Sequence, residues 1–311
     1  MDGKTMLRDL RQFIQEQSAS TWLDDKTSYD YLYKAAVEFV TRTRINTATQ
    51  TITTVASQRE YTLNADFLEM QLSDTDNQPF IKYYDGSAYT FIKWREYDAM
   101  VWGNQTTAAS IPSTWSITDK VASANLSVTA GAASDASQTN GEATLSVVGQ
   151  AFLTTVSVGD TIHNTTDASS GIVTEVTSDT VLEAAMFDGT TNAFTSGNSV
   201  VIVPQGRLKL AFDPPPSTSS HTATVYYVQR PIPVYSDYRS YRIPIDYKQA
   251  LIYYAGWMYK NRDREPQFGE IEFKYFDDQV RKAAYQYGKT LHRKAFRVNY
   301  MKTANKYASW R

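Results

Sequence analysis

The three histidines, His163, His221 and His292, are the side chains best suited to proton transfer near neutral pH. They fall in three compositionally different regions, and none stands in an H-E-x-x-H or H-x-E pattern that would place a ligand and a base together. They read as surface or partly buried histidines. Carboxylate pairs, the other source of acid–base chemistry, occur as Asp24-Asp25, Asp277-Asp278 and Asp74-x-Asp76. Adjacent residues on a helix point about 100° apart, so Asp277 and Asp278 read as a solvated face. No G-x-S-x-G elbow, Walker A loop or G-x-G-x-x-G fingerprint occurs. Gly159-Asp160 and residues 167–171 carry turn chemistry without the ligand spacing of a calcium loop. The absence of cysteine excludes disulfides, thiol nucleophiles and iron–sulfur clusters. The sequence predicts no enzyme, no cofactor and no metal.

The chemistry that is concentrated is cationic and aromatic. Residues 281–311 hold nine Lys or Arg and no acid. Lys289, Arg293, Lys294, Arg297, Lys302, Lys306 and Arg311 alternate there with Phe296, Tyr300, Tyr307 and Trp310. Aromatic rings can anchor in a partner's pockets while bases pair with its acidic rim. The same composition suits a nucleic-acid backbone, and on its own it is a solvated tail. A second Tyr-rich stretch is bounded by prolines and carries Tyr235, Tyr238 and Tyr241, which are expected at an interface with a neighbouring subunit or another protein.

The chain that must position these groups has 311 residues and a formal net charge of −2. That near-neutral figure conceals two opposed regions. Residues 121–203 contain no Lys or Arg, eight acids and three aromatics, so their core is aliphatic; the rest holds 38 aromatics and all 31 bases. This composition reads as a module inserted into an aromatic host, its acids facing outward. No apolar run approaches the roughly 18 residues of a membrane span. The first 20 residues lack a signal-peptide core, so a cytoplasmic, membrane-free chain is expected.

Periodicity places the host's elements. Met6, Leu7, Leu10, Phe13 and Ile14 fall at helical spacing, and Tyr31, Leu32, Ala35, Ala36, Phe39 and Val40 form a second stripe with Ser28 as N-cap. Extended pieces follow at 49–55, 60–63, 67–72 and 79–84, with a turn at 84–87. Residues 90–102 lean helical, and 113–118 form a strand entering the insert. Beyond it, 207–212 and 222–229 are strands. Two helices then start near Pro244 and Pro266, the second stopping at Gly288. The insert shows short strands at 125–128, 143–148, 160–164, 171–176, 180–183 and 199–203. The expected fold class is α+β: a helical host with N-terminal helices, a C-terminal helical hairpin and a small β-domain, carrying an all-β barrel- or sandwich-like module. The expected domains are 1–118 with 206–288, 119–205, and a C-terminal arm at 289–311.

The stretches GRLKLAFDPPP at 206–216, TVYYVQRP at 224–231 and IPIDYKQALIYYA at 243–255, with the aromatic helix after Trp22, resemble the head–tail connector (adaptor or neck) proteins of tailed bacteriophages. The resemblance covers roughly 1–118 and 206–311. It implies a structural virion protein, assembled in the bacterial cytoplasm and located in the neck. It also implies a homo-oligomeric ring, usually dodecameric, beneath the portal protein. Such a ring extends the channel for non-specific passage of DNA and receives the next neck or tail protein, with the C-terminal arm reaching the portal. A receptor- or carbohydrate-binding tail protein and a nucleic-acid-binding protein remain alternatives, the former weakened by the insert's lack of Tyr and Trp.

Overall fold

The computed structural model of the chain describes residues 1–16, 23–72, 78–97, 108–121, 124–135, 140–237, 239–262 and 269–286. Two helices open the chain, α1 (Gly3–Ile14) and α2 (Asp25–Thr43). Each begins where an aspartate caps it: Asp2 accepts from Thr5 N at 2.8 Å and Asp24 from Thr27 N at 2.7 Å. The predicted cap, Ser28, lies instead in the first turn and donates its hydroxyl to Asp24 O. Both helices end on left-handed residues, Gln15 and Arg44.

The next seven strands are β1 (Thr47–Thr53), β2 (Glu60–Thr62), β3 (Phe67–Met70), β4 (Phe80–Tyr84), β5 (Tyr89–Trp94), β6 (Thr114–Val121) and β7 (Leu126–Thr129). β8 (Ala143–Ser146), α3 (Phe152–Thr155), β9 (Thr161–Asn164), β10 (Ser169–Ser178), β11 (Val181–Phe187) and β12 (Ser199–Val203) follow. The chain then forms β13 (Arg207–Asp213), β14 (Thr222–Gln229), a 3₁₀ turn (Ile245–Tyr247), α4 (Lys248–Asn261) and α5 (Glu270–Gln286).

The expectation of a helical host is wrong. The fold is mostly β, with about 28% of the described residues in helix, and the host is organised by an eight-stranded sheet in the order β1-β14-β4-β5-β6-β13-β2, with β3 also on β14. Its extended pieces were visible locally, but their pairing was not: β14 joins β1 and β4 from more than 100 residues away, Thr49 opposite Tyr226 and Val225 opposite Ile81. Of residues 90–102, read as leaning helical, 90–94 belong to the strand β5 and 98–102 lie outside the described residues. The Asp85 carboxylate accepts from Ser87 N and Ala88 N and fixes the tight turn that returns the chain along β4.

The sheet curls until its two outer strands meet. Gln50 of β1 donates to Thr62 O at 3.0 Å and accepts from Asn64 N at 2.9 Å, so one side-chain amide stands where a ladder rung would be. Trp115, Tyr83, Phe212, Tyr227 and Ile81 fill the interior. The fully buried Trp115 donates its indole N–H to Ile92 O at 3.0 Å.

The second sheet has the order β7-β12-β9-β10-β11-β8 around an aliphatic core closed by Phe152 and Phe194. Its strands of departure and return are partners, Val121 lying opposite Arg207. α1, α2, α4 and α5 form a third core with Met6, Leu10, Phe39, Leu251 and Phe276 at its centre. Gly256 permits α4 to approach α1, since a Cβ there would lie 2.6 Å from the Phe13 ring. Ala185 of the second sheet belongs to this helical core, and Phe187 packs on it. The predicted starts and stop at Pro266 and Gly288 lie outside the described residues, while Pro244 precedes the 3₁₀ turn that runs into α4.

Candidate functional site

The outward face of β14, β4 and β5 carries a row of rings. Alternation along β4 sends Ile81 and Tyr83 inward and Phe80, Lys82 and Tyr84 outward. Register then sets Phe91 beside Lys82 and Tyr89 beside Tyr84, while the ring of Tyr226 lies 5.5 Å from Phe80. Phe80 in turn sits 5.6 Å from Phe91 at 78°. Tyr84 and Tyr89 lie 4.8 Å apart, and Lys82 Nζ stands 3.9 Å above the Tyr89 ring. Phe91 and Tyr89 are 63% and 62% exposed, values at which large rings add nothing to the chain's own core. The rings are tilted on one another, giving a corrugated surface. Exposed Thr47, Thr49, Thr51 and Thr53 of β1 continue it.

A second cluster joins the two sheets. Arg239 donates to Glu142 at 3.1 Å and to Glu183 at 2.7 Å, and pairs with Glu175 at 2.5 Å. Ser236 donates its hydroxyl to Glu142 at 2.6 Å. Beside them, Lys26 of α2 reaches Ser170 at 3.1 Å and Asp188 at 3.4 Å, and Tyr29, Phe187 and Tyr235 form a ring cluster. Four of the eight acids expected to face outward, Glu142, Glu175, Glu183 and Asp188, are therefore paired with cations of the host. One guanidinium answers three carboxylates, and burial, with the adjacent Glu142 and Glu175, pushes the Glu183 carboxyl above its usual range.

A raised acid binds more protons folded than unfolded, so Glu183 stabilises the fold below its ordinary pKa of 4.5 and that contribution is lost as pH rises through the shifted value. Glu183→Gln is expected to raise the melting temperature at pH 7 and to leave it unchanged near pH 4. Melts of both proteins across that range measure it; equal gains at both ends would remove the titration from the account.

Of the residues singled out from sequence, Tyr235 and Tyr241 are buried in the chain's own core. Tyr235 donates its hydroxyl to Asp30 at 2.5 Å, and the hydroxyl of Tyr241 is buried without a hydrogen-bond partner. Burial raises both phenols. Tyr238 and the arm residues Lys289, Arg293, Lys294, Phe296, Arg297, Tyr300, Lys302, Lys306, Tyr307, Trp310 and Arg311 lie outside the described residues, as do His292, Asp74 and Asp76. Asp24 caps α2, Asp25 pairs with Arg11, and Asp277 pairs with Arg42 at 3.5 Å. His221 Nδ1 lies 3.1 Å from the Tyr83 hydroxyl. The aromatic face was not singled out from sequence, although the alternation of Phe80, Lys82 and Tyr84 contained its signal.

Among the described residues no three His, Asp or Glu side chains could hold a metal ion, and no helix is long and apolar enough to cross a membrane. No protein-family model matches the chain, and no curated protein matches it.

Proposed function

We propose that the chain is a structural subunit of a bacteriophage neck, forming a ring beneath the portal that joins capsid to tail and extends the DNA channel. The exposed ring row on β14, β4 and β5 is the observation that supports this most, because such a surface is stabilised by burial against protein. Its occupant in this reading is a second copy of the chain. The face carries Lys82 and Lys93, and Asp135 and Asp179 stand exposed on the segment 121–203, which itself contains no Lys or Arg. The basic, aromatic arm at 289–311 docks on the portal, as the sequence resemblance implies.

Negative-stain microscopy of the purified chain, alone and mixed with its portal, tests the assignment. Closed rings and portal particles extended by a collar are expected; a chain that stays monomeric and never joins the portal overturns it. Deleting residues 289–311 is expected to abolish portal docking while the thermal unfolding transition is retained. A truncated chain that still docks would remove the arm from the mechanism.

A further inference from the structure

A cleft of about 730 Å³ opens between the two sheets, away from the ring row. One wall is the loop at 156–158 with β10 of the second sheet; the other is the end of β14 and the extended chain that follows it. Its lining includes Arg207, Arg230, Arg239 and Arg242 against only two carboxylates, Asp66 and Glu175. These cations are not equivalent. Arg239 is committed to its three glutamates, and Arg207 donates to Ser157 Oγ at 2.7 Å. Asp66 is itself occupied, accepting from the Tyr227 hydroxyl at 2.9 Å and Gln229 at 2.6 Å.

Arg230 and Arg242 are left with no carboxylate partner among the described residues. Arg230 stands beside the Tyr33 hydroxyl and reaches Gln205 at 3.5 Å, and its buried Nε has no acceptor. Buried donors are rarely left unpaired, and an acceptor entering the cleft would satisfy this one. Arg242 is exposed at the cleft's edge.

We propose that this cleft binds an extended peptide segment carrying two carboxylates, one taken by Arg230 and one by Arg242. The guanidinium fork matches a carboxylate bidentately. The volume far exceeds that of a bare inorganic ion and fits a ligand with an apolar body. Pro231, Pro233, Val156 and Val158 provide apolar wall for the residue between the acids. A nucleic-acid backbone fits less well, since a polyanion leaving the cleft along the second sheet meets Asp160 and Glu175 and no base from 121 to 203. The proposal stands independently of ring formation.

Fluorescence anisotropy with a labelled, end-blocked Leu-Glu-Leu-Glu-Leu pentapeptide tests it on the full chain. Saturable, salt-weakened binding is expected, lowered roughly tenfold by Arg242→Ala, whose exposed position spares the fold, and also weakened by Arg230→Lys. The matching Gln–Leu peptide is expected not to bind. Absence of saturable binding, equal binding of the Gln–Leu peptide, or an affinity unchanged by Arg242→Ala overturns the proposal. So does displacement by inorganic phosphate or a short DNA duplex at lower concentration than unlabelled peptide, which would make the cleft a phosphate site.

Discussion

Arg239→Ala is expected to lower the unfolding free energy at pH 7 by about 3 kcal/mol, the low end of the range for breaking a buried ion pair. Arg239 is 19% exposed and Glu142 only 5%, so that carboxylate would be left in poor contact with water beside two like charges. Glu183 and Glu175 are 30% and 45% exposed, and solvent screens their share, which holds the figure low. Urea denaturation measures the loss, and its pH dependence identifies the cause. At pH 5 the raised Glu183 takes up protons more readily in the folded chain, and the deficit should shrink. Adding Glu183→Gln to the alanine variant should recover part of the loss at pH 7, whereas Arg239→Lys keeps the charge but loses the fork that spans three acceptors. A deficit that is the same at both pH values would mean that packing of the arginine stem, and not charge, joins the two sheets.

The second large effect concerns assembly. Phe91→Asp combined with Tyr226→Thr is expected to leave chain stability within roughly 0.5 kcal/mol for the exposed Phe91. The half-buried Tyr226, which lies against Phe80, adds a modest further cost. Self-association should weaken by at least about 2 kcal/mol, near thirtyfold, because an aspartate is placed where rings are buried against a neighbour. Sedimentation velocity over a concentration series reads the second quantity and urea denaturation the first. Rings that form unchanged would exclude the face as a subunit contact.

How far sequence reasoning reached follows from the range of each signal. Helical stripes, the turn at Asp85 and the short strands of residues 126–203 are written in adjacent residues, and the structure places elements there. Host architecture depends on Thr49 meeting Tyr226 and Trp115 meeting Phe212, pairings that no local pattern encodes, so from sequence the eight-stranded sheet reads only as a small β-domain in a helical host. Charge misled in a related way. Eight acids without a base imply a solvated surface, yet Glu142, Glu175 and Glu183 converge on Arg239, which comes to them from 56 or more residues away. The ring row was hidden for another reason. Rings at Phe80, Tyr84, Tyr89 and Phe91 suit a core as well as a surface, and beyond the lone Lys82 between Phe80 and Tyr84 it is the register of β4, β5 and β14 that shows which way they point.

The pairing of Val121 with Arg207 also governs how the molecule bears load. A pull on the second sheet away from the host opens β6 and β13 end-on, one rung after another, rather than shearing all rungs together. The ladder is irregular between Arg207 and Lys209, so the outermost rung stands apart and is the first to yield. Resistance to tearing therefore draws on the side-on fastenings, which include Arg239 with its glutamates, Lys26 with Ser170 and Asp188, and Tyr29 with Phe187. While they hold, the strands are not peeled. With those contacts released, β6 and β13 are the two strands that still connect the second sheet to the host, and its core lies wholly within residues 128–202, so tension falls on the joint before it falls on that core.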